Sequence, residues 1–460
     1  MKKTLHWFRN DLRLDDNAAL AHAFASSSVM SFVYVHDPRL WRQLSPLAVP
    51  RFGMHRRRFL NESLIALRAQ LSAQGFALTE LWGHPEKILP EVIEAEGLNA
   101  LSFTKDPAPF EKGIEQELLL SSKQNGFSID SDWTQFLLVP DTVSHIPQTF
   151  TDFRKQVEKQ NYESLVPKLQ ELGAISHLKN KPIFKDVSSA TRGGLIPPDK
   201  TSESELAHWW LPDDHEKMLL NKTHKPQAPF EKMNLLRGGA NAGMQRVHDY
   251  LFGSCSVLNY FETRNGLLGV NDSTLFSAWL SNGSLSPRQV FWNVNKFEKQ
   301  FSANKSTYWV VFELLWREFF KLHLMHSGEN FFHPEGFYRV AFEGTEDDAQ
   351  LSHSFEQILA CATGQPFVDA NLRELIQTGF MSNRGRQNVA SYLMYQMKLP
   401  WIHVAAFFEA FLIDYDAASN WGNCAYIAGV SFDPRGGRHF NIEKQQKDYD
   451  PSGNYLQAWL

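Results

Sequence analysis

Two different patterns of hydrophobic and polar positions follow each other along the chain of 460 residues. In the first 135 residues, short apolar runs alternate with segments whose leucines recur at helical spacing. The predicted strands are Thr4–Phe8, Val29–Val35, Phe76–Trp82 and Leu98–Phe103, and the predicted helices between them are Arg51–Gln70 and Glu86–Ala95. Strands that alternate with helices favour a parallel, Rossmann-like α/β sheet.

From Gly238 onward the apolar positions take the period of a helix. The predicted helices are Asn241–Leu251, Ser286–Lys299, Thr307–His323, Ser354–Ala362, Ala370–Thr378, Arg386–Met397 and His403–Ile413. Residues 236–460 are therefore predicted to form an all-α domain. Residues 136–235 contain scattered prolines and alternate charged with apolar residues, which predicts a connector with short helices that passes over the surface.

The composition is that of a large globular protein, with 43% hydrophobic and 13% aromatic residues. A net charge of -5 excludes a strongly basic coat, so DNA binding would need a local patch of Lys and Arg. The longest apolar run, Trp401–Ile413, is too short to cross a bilayer. Cys255, Cys361 and Cys424 show neither metal spacing nor a disulfide framework, which favours the reducing cytoplasm.

One candidate phosphate site lies at Asp272–Ser277. The two commonest nucleotide-binding loops are absent from the sequence. In this segment, however, several hydroxyl side chains precede a predicted helix, Phe276–Leu280, whose first N–H groups are free to bind an anion. A simple helix cap is the alternative, and it is the stronger interpretation of this segment alone.

A wide aromatic stripe marks the helix around Trp309–Phe320. Glu313 and Arg317 lie beside the stripe at i and i+4. Such a helix is usually a core helix with an ion pair on its surface. The alternative is that the helix forms the wall of a flat aromatic pocket.

Two polar segments could meet in the fold. Asn383–Asn388 is basic and begins an otherwise apolar helix, where it could cap the helix, bind phosphate or DNA, or hold an acidic partner. Asp414 and Asp416 follow the apolar run Val404–Ile413 and are expected to be partly buried. Because buried carboxylates need a partner, a nearby arginine is expected. An exposed acidic turn is the alternative.

Together these segments resemble one protein family, the photolyases and cryptochromes, and in particular its DASH branch. The similar segments are His6–Leu14, Glu262–Gly269, Ser306–Val310, Glu313–Arg317, Thr363–Pro366, Val368–Asn371, Gly379–Ser391, Phe440–Ile442 and Lys447–Pro451. They occur in order over nearly the whole chain, and the segment 140–235 is the least similar part.

The resemblance implies an α/β antenna domain, a linker and an all-helical domain that binds FAD. The residues that would hold the cofactor are Tyr260, Ser273, Thr274, Leu275, Phe276, Ser277, Glu313, Arg317, Asn383, Arg386, Asp414, Asp416 and Asn420. In this set, Asp414 and Asp416 would contact the ring and the ribose, and Arg386 would pair with Asp414. Asn420 would face the flavin N5, where a neutral amide suits fully reduced flavin.

The resemblance also implies a light-driven reaction on DNA. Excited, reduced FAD donates one electron to a cyclobutane pyrimidine dimer, the ring splits, and the electron returns. The dimer must be flipped out, because a stacked base cannot reach the flavin. Glu313, Trp316, Asn383 and Tyr426 would contact the dimer.

The electron chain of the family is altered in this sequence. Trp401 fits the middle of its three tryptophans, but Cys424 occupies the flavin-proximal position and no tryptophan lies between Trp316 and Trp401. We therefore expect light-driven reduction of the flavin by the usual route to fail. Trp421 is a candidate for the proximal link, with Tyr392 or Tyr395 as further helpers.

The substrate is expected to be a dimer in single-stranded DNA. Tyr426 stands where photolyases of duplex DNA place a tryptophan, and a tyrosine offers a smaller stacking surface. Met381 and Ser382 replace the histidine pattern of enzymes that repair the six-four photoproduct, which argues against that activity. Glu111 would bind a methenyltetrahydrofolate antenna, and an exposed glutamate at a helix start is the equal alternative.

Three functions remain open from the sequence. The first is dimer repair by a cytoplasmic monomer. The second is a blue-light photoreceptor that signals to a protein or RNA partner. An end at Leu460, without a signalling tail, favours the enzyme. The third, an unrelated flavin oxidoreductase, would need a nicotinamide site that the sequence does not indicate.

Overall fold

The computed structural model of the chain describes residues 2–44, 49–143, 145–160, 162–170, 179–181, 231–345 and 347–460. Its strands are β1 Lys2–Phe8, β2 Ser27–His36, β3 Gln43–Leu44, β4 Val49–Pro50, β5 Leu78–Trp82, β6 Ala100–Thr104, β7 Ser128–Asp132 and β8 Lys179–Asn180. Its helices are α1 Ala18–Ser26, α2 Met54–Ala73, α3 Pro85–Ala95, α4 Pro109–Asn125, α5 Phe150–Lys159, α6 Tyr162–Leu165, α7 Glu231–Leu235, α8 Ala240–His248, α9 Tyr260–Thr263, α10 Ser277–Asn282, α11 Pro287–Gln300, α12 Lys305–Ser327, α13 Asp348–Leu359, α14 Pro366–Thr378, α15 Asn383–Tyr395, α16 Trp401–Phe411, α17 Ala417–Ala428, α18 Ile442–Tyr449 and α19 Asn454–Trp459.

The N-terminal strands form a parallel sheet in the order β5-β2-β1-β6-β7, with β8 also paired to β2. Helices cover both faces. One apolar core joins Leu5 and Trp7 of β1 to α3 and α4, and the other joins Phe8 and Phe32 to α1 and α2. Because consecutive side chains of a strand point to opposite faces, β1 supplies both cores. The predicted parallel α/β sheet is confirmed.

The C-terminal part is helical, as predicted. One large apolar core holds it together, and α12 and α14 are among its most buried elements. Each predicted helix of this part corresponds to an observed helix, with ends that differ by a few residues. The helix expected at Phe276–Leu280 begins one residue later, at Ser277.

The connector was predicted to contain short helices that pass over the surface, and α5 is a short helix that exposes one face and buries the other. Phe150, Phe153 and Val157 are buried in the helical core, where Phe153 contacts Phe319. Their spacing of three and four residues places them on one face of the helix, which explains the burial. Much of the predicted connector, including residues 182–230, lies outside the described residues.

Buried polar contacts join the two domains. Asp16, on the loop after β1, accepts hydrogen bonds from Ser286 and from Arg288, the latter at 3.0 Å. Arg51 forms an ion pair with Glu409 of α16. These contacts bring the start of α2 against α16 and leave a cavity between the two domains, which is described below.

None of the helices in the described ranges is both long enough and apolar enough to span a bilayer.

Candidate functional site

Helix α12 carries three charged residues on one stripe. Its start is capped by Asn304, whose side chain accepts from the backbone N–H groups of residues 306 and 307. Glu313, Arg317 and Lys321 follow at intervals of four residues and therefore lie above one another on the helix surface. The stripe faces two neighbouring cavities.

The starts of α15 and α17 face this stripe. Ser382 caps α15 and Asp416 caps α17, each through a hydrogen bond from the backbone N–H three residues later. Close packing of α17 on α12 depends on Gly422, because a Cβ atom there would lie 2.4 Å from the ring of Phe320. A larger residue at position 422 would push α17 away from the site.

A cavity of about 250 Å³ lies between these elements. It adjoins a smaller one of about 80 Å³, and we call the two together the central cavity. Both parts are lined by Asn383, Arg386, Asp414, Asp416 and Ser419. The larger part is also lined by Tyr260, Ser273, Thr274, Leu275, Phe276, Ser277, Glu313 and Arg317. Four segments that are distant in sequence thus converge on one space.

Asp414 has one paired and one unpaired carboxylate oxygen. Its Oδ2 accepts a hydrogen bond of 2.8 Å from Nη2 of Arg386, so the predicted pair is present. Its Oδ1 is buried and has no hydrogen-bond partner among the described residues. Because a buried, unpaired carboxylate oxygen is costly, this atom is suited to a ligand that presents an N–H group.

Asp416 lies at the boundary between the central cavity and the cavity between the domains. Its carboxylate forms an ion pair of 3.0 Å with Lys321. Burial raises the pKa of Asp416, but Lys321 and Arg317 outweigh burial, and the net pKa lies well below its usual range. Asp416 is therefore a fixed negative charge.

Asn420 lines the smaller part of the central cavity. Its amide nitrogen donates to the carbonyl of Ala405 at 2.9 Å, which leaves the amide oxygen for a ligand. An acceptor at this place fits the N5–H of reduced flavin, and the unpaired oxygen of Asp414 fits a second ring N–H. The residues present therefore fit FAD.

Glu313 is held by two donors. Its Oε1 accepts from Nη1 of Arg264 and from Nε1 of Trp309, both at 3.2 Å. Burial raises the pKa of Glu313, and Arg264 opposes the rise. The helix alone was interpreted as a core helix with an ion pair between Glu313 and Arg317 on its surface, and the ion pair is wrong, since Arg317 donates instead to the carbonyl of Gln135 at 2.8 Å.

The hydroxyl-rich segment bends sharply into the cavity. Leu275 has a φ of 60°, so it adopts the left-handed conformation. Phe276 stands at the N-cap of α10 without a side-chain cap, which makes the simple-cap interpretation wrong. Ser273, Thr274 and Ser277 line the cavity and are placed to donate to a polar ligand.

The aromatic residues expected to contact a dimer lie beside the central cavity and do not line it. One face of Trp316 is stacked on Phe150, with the ring centroids 3.7 Å apart. Trp316 and Tyr426 meet at 73°, and their centroids are 5.7 Å apart. The two rings form an L-shaped aromatic wall, which could contact a base only through the surfaces that Phe150 leaves open.

The residues of the expected electron chain lie in different places. Cys424 lines the central cavity, and burial raises the pKa of its thiol to about 12. Trp401 is buried away from the cavity and meets Trp421 edge to face at 5.8 Å. Trp421 faces the cavity between the domains, so it does not take the place of Cys424 beside the ligand.

The tyrosines proposed as helpers of the chain are engaged elsewhere. Tyr392 donates to the carbonyl of Thr363, and Tyr395 donates to the carbonyl of Ile427. Neither lines the central cavity.

A cavity of about 480 Å³ lies between the two domains. Glu111, in the first turn of α4, lines it and is half-buried, so the exposed alternative is wrong. Burial and the nearby Asp106 raise the pKa of Glu111 to about 7. Arg51 and Arg56 line the same cavity. A ligand with both N–H donors and carboxylates would therefore find partners there.

Three site residues were missed from the sequence. Arg264 holds Glu313, Lys321 holds Asp416, and Ser419 donates its backbone N–H to Asp416. Lys321 could have been found, since it lies eight residues after Glu313 on one helix face. For Arg264 no local signal exists, because the contact depends on the packing of α9 against α12.

Profiles of protein domains match two parts of the chain. Residues 4–172 match the DNA photolyase domain, and residues 309–460 match the FAD binding domain of DNA photolyase.

Relatives match along the whole chain. A cryptochrome DASH of Oryza sativa subsp. japonica, named chloroplastic/mitochondrial, is 37% identical over 473 residues, which are 99% of this chain and 76% of the rice protein. Cryptochrome DASH of Gloeobacter violaceus is 37% identical over 463 residues, which cover 100% of this chain and 85% of that protein.

Solved structures share the fold. The crystal structure of a Synechocystis sp. PCC6803 cryptochrome matches with a TM-score of 0.86 and 34% identity, over 100% of this chain and 88% of that one. A bacterial class III photolyase from Agrobacterium tumefaciens matches with a TM-score of 0.78 over 100% of this chain and 86% of that one, and its 24% identity supports the fold alone.

Proposed function

Because the chain belongs to the DNA photolyase/cryptochrome family and is similar to its cryptochrome DASH members, we propose that it repairs cyclobutane pyrimidine dimers with light and reduced FAD. Single-stranded DNA is the preferred substrate. The protein acts as a monomer in the cytoplasm, where its three free cysteines would stay reduced.

One observation carries this proposal, namely that a single cavity is lined by two sets of groups. Asp414 and Asp416 are suited to the cofactor, while Glu313 and Asn383 are suited to a base. A flipped dimer and the flavin would therefore share one enclosed space. Electron donation from the flavin to the dimer needs such proximity. A lyase depends on it more than a photoreceptor does.

The residues have separate tasks in the proposed reaction. Bound FAD supplies the electron that splits the ring and takes it back, so no net oxidation occurs. Asp414 and Asn420 orient the flavin through acceptor oxygens, and Arg386 fixes the carboxylate of Asp414. Glu313 offers a hydrogen bond to a base of the dimer, held in place by Arg264.

The preference for single strands follows from the cost of flipping. The aromatic wall of Tyr426 and Trp316 offers a small stacking surface, so stacking on it offsets little of the free energy needed to open a duplex. The chain also has a net charge of -5, so phosphate attraction is only local. A dimer in a single strand is already unpaired and costs less to extract.

The proposal predicts direct repair in vitro. Purified protein with fully reduced flavin should restore thymines from UV-treated oligothymidylate under blue light and not in the dark. The same lesion in a duplex should be repaired much more slowly. The measurement is the recovery of thymine absorbance or of the intact oligonucleotide. A protein that binds reduced flavin and repairs neither substrate would act as a photoreceptor with a protein or RNA partner, contrary to this proposal.

The cavity between the domains is proposed to hold a methenyltetrahydrofolate antenna. A pterin presents neighbouring N–H groups, and the carboxylate of Glu111 can accept two of them. The glutamate tail of a folate carries carboxylates, which Arg56 of the same cavity would bind, whereas Arg51 is already paired with Glu409. The pterin end of folate is thus matched by a carboxylate, and the glutamate end is matched by a cation.

Antenna binding should depend on pH. Glu111 has a raised pKa of about 7, so it is mostly neutral at pH 6 and mostly charged at pH 8. If the charged form binds the pterin, affinity for methenyltetrahydrofolate should rise about tenfold over this range. Calorimetric titration would measure it. Glu111→Gln should remove the dependence, and Glu329→Gln, another change in the wall of this cavity, should preserve it. A flat profile in the unmodified protein would contradict a role for Glu111.

A further inference from the structure

A row of half-exposed aromatic rings lies on the outside of α12, next to Glu313. Trp309 and Phe312 stack with their centroids 4.2 Å apart and their planes at 24°. Phe261 packs edge-on against Trp309 at 4.6 Å. We call Phe261, Trp309 and Phe312 the aromatic platform. Trp309 and Phe312 belong to α12 and Phe261 to α9, and three adjacent aromatic side chains that stay partly exposed are unusual beside a helix whose other face is buried.

Positive charges lie over these rings. The ammonium group of Lys305 is 3.4 Å from the centroid of Phe261. The guanidinium groups of Arg264 and Arg154 lie 5.1 Å from Trp309 and 5.6 Å from Phe312, respectively. Each ring of the platform therefore has a cation within reach, although the whole chain is acidic.

Neighbouring carboxylates balance part of this charge. Arg154 forms an ion pair with Glu158 at 3.7 Å and Arg264 forms one with Glu313 at 3.2 Å, whereas Lys305 has no ion pair among the described residues. Glu158 accepts from the hydroxyl of Tyr308, and Glu262 accepts from Ser306. Glu313 accepts from Trp309 and Arg264. Stacking surfaces that are interleaved with cations are the combination that binds single-stranded nucleic acid.

The platform is continuous with the central cavity. Nε1 of Trp309 donates to Glu313, and Glu313 lines that cavity. A strand whose dimer enters the cavity would therefore pass its next nucleotides over the platform. On the other side, Phe312 meets Phe150, which stacks on Trp316, so the rings continue to the aromatic wall.

We propose that the aromatic platform binds the unpaired nucleotides directly beside the dimer. This inference rests on the proposed function, since it assigns the path of the substrate strand outside the cavity. A flanking base stacks on an outer ring face, and Lys305, which has no ion pair among the described residues, pairs with a phosphate. In a duplex the flanking base is held in its own stack by the complement, so the platform favours single strands.

The test is a comparison of substrates with and without flanks. Phe312→Leu should weaken binding of a dimer placed within a single-stranded oligonucleotide of about ten nucleotides by about tenfold. Binding of the isolated thymine dimer dinucleotide should not change. Fluorescence anisotropy or calorimetry measures both affinities. Phe312→Tyr keeps a ring and should retain affinity, and Phe301→Leu removes an exposed ring that packs on Phe252 and Phe297 rather than on the platform and should have no effect.

Two outcomes would overturn the inference. Phe312→Leu could leave the affinity for flanked substrate unchanged, or it could weaken both substrates equally. Undamaged oligothymidylate separates this inference from the proposed function. If the platform binds flanking nucleotides, Phe312→Leu must also weaken binding of the undamaged strand, even if the protein repairs no dimer. If the unmodified protein repairs dimers and Phe312→Leu has no effect on binding, the proposed function would be retained and the platform would be excluded as a binding site.

Discussion

Replacing Asp414 with alanine is expected to yield a protein that purifies without flavin. The carboxylate is buried and performs two tasks. Its Oδ2 pairs with Arg386 at 2.8 Å, and its Oδ1 is available for a ring N–H. Alanine removes the acceptor and leaves the guanidinium without its partner, so affinity for FAD should fall by at least about 100-fold. Flavin absorbance per protein and a titration with FAD would measure the loss.

A graded series separates charge from hydrogen bonding. Asp414→Asn keeps an acceptor oxygen but loses the charge, so its affinity should lie between those of the unmodified protein and Asp414→Ala. Glu374→Gln is the matched control. It disturbs a buried ion pair, with Lys232 at 3.5 Å, that does not line the central cavity, and it should keep the flavin. Normal FAD affinity in Asp414→Ala would mean that the ring lies elsewhere.

The α/β sheet was largely predictable, and the longer of its two missed strands, β7 and β8, was missed for a physical reason. Strands β1, β2 and β6 are buried between two layers of helices and are rich in apolar and aromatic residues, so their hydrophobicity predicted them. Strand β7, with the sequence SIDSD, forms the edge of the sheet and is half-exposed. An edge strand needs no apolar run, and hydrophobicity alone cannot reveal it.

Helix α17 was missed although its signals are present. Asp414–Asn420 was interpreted as a polar segment after a helix. Asp416 is instead the N-cap of the next helix, and Trp421, Cys424, Ala425 and Ala428 follow at helical spacing. The error came from treating the two aspartates as one unit. Asp414 ends one turn and Asp416 starts another, so both are held rigidly and face one cavity.

The site residues could be named from the sequence only because of a family resemblance, while their contacts depend on packing. Hydroxyl groups around residue 274 and carboxylates around residue 415 did indicate polar ligands. That Glu313 pairs with Arg264 rather than with Arg317 follows from α9 lying against α12, which no local pattern encodes. That Trp421 faces the cavity between the domains, while Cys424 lines the central cavity, likewise became known only from the structure.

Replacing Glu313 with alanine is expected to leave the flavin bound and to reduce repair. At low concentrations of dimer-containing oligothymidylate, repair per photon should fall by about 10- to 100-fold, since one hydrogen bond between a charged group and a base is lost. Arg264 loses its partner but is partly exposed, so water can solvate it and the fold should persist. The measurement is repair yield at several substrate concentrations with flavin occupancy held equal.

The dependence on substrate concentration shows what Glu313 does. If Glu313 only binds the dimer, excess substrate would compensate for its loss. If it also assists ring splitting, its loss would lower the repair yield even at saturating substrate. Glu313→Gln keeps a hydrogen-bonding amide and should be less impaired than alanine. Glu298→Gln changes a carboxylate that accepts from Thr307 near the start of the same helix, and it should repair normally. Equal repair by Glu313→Ala and the unmodified protein would mean that Glu313 does not contact the dimer.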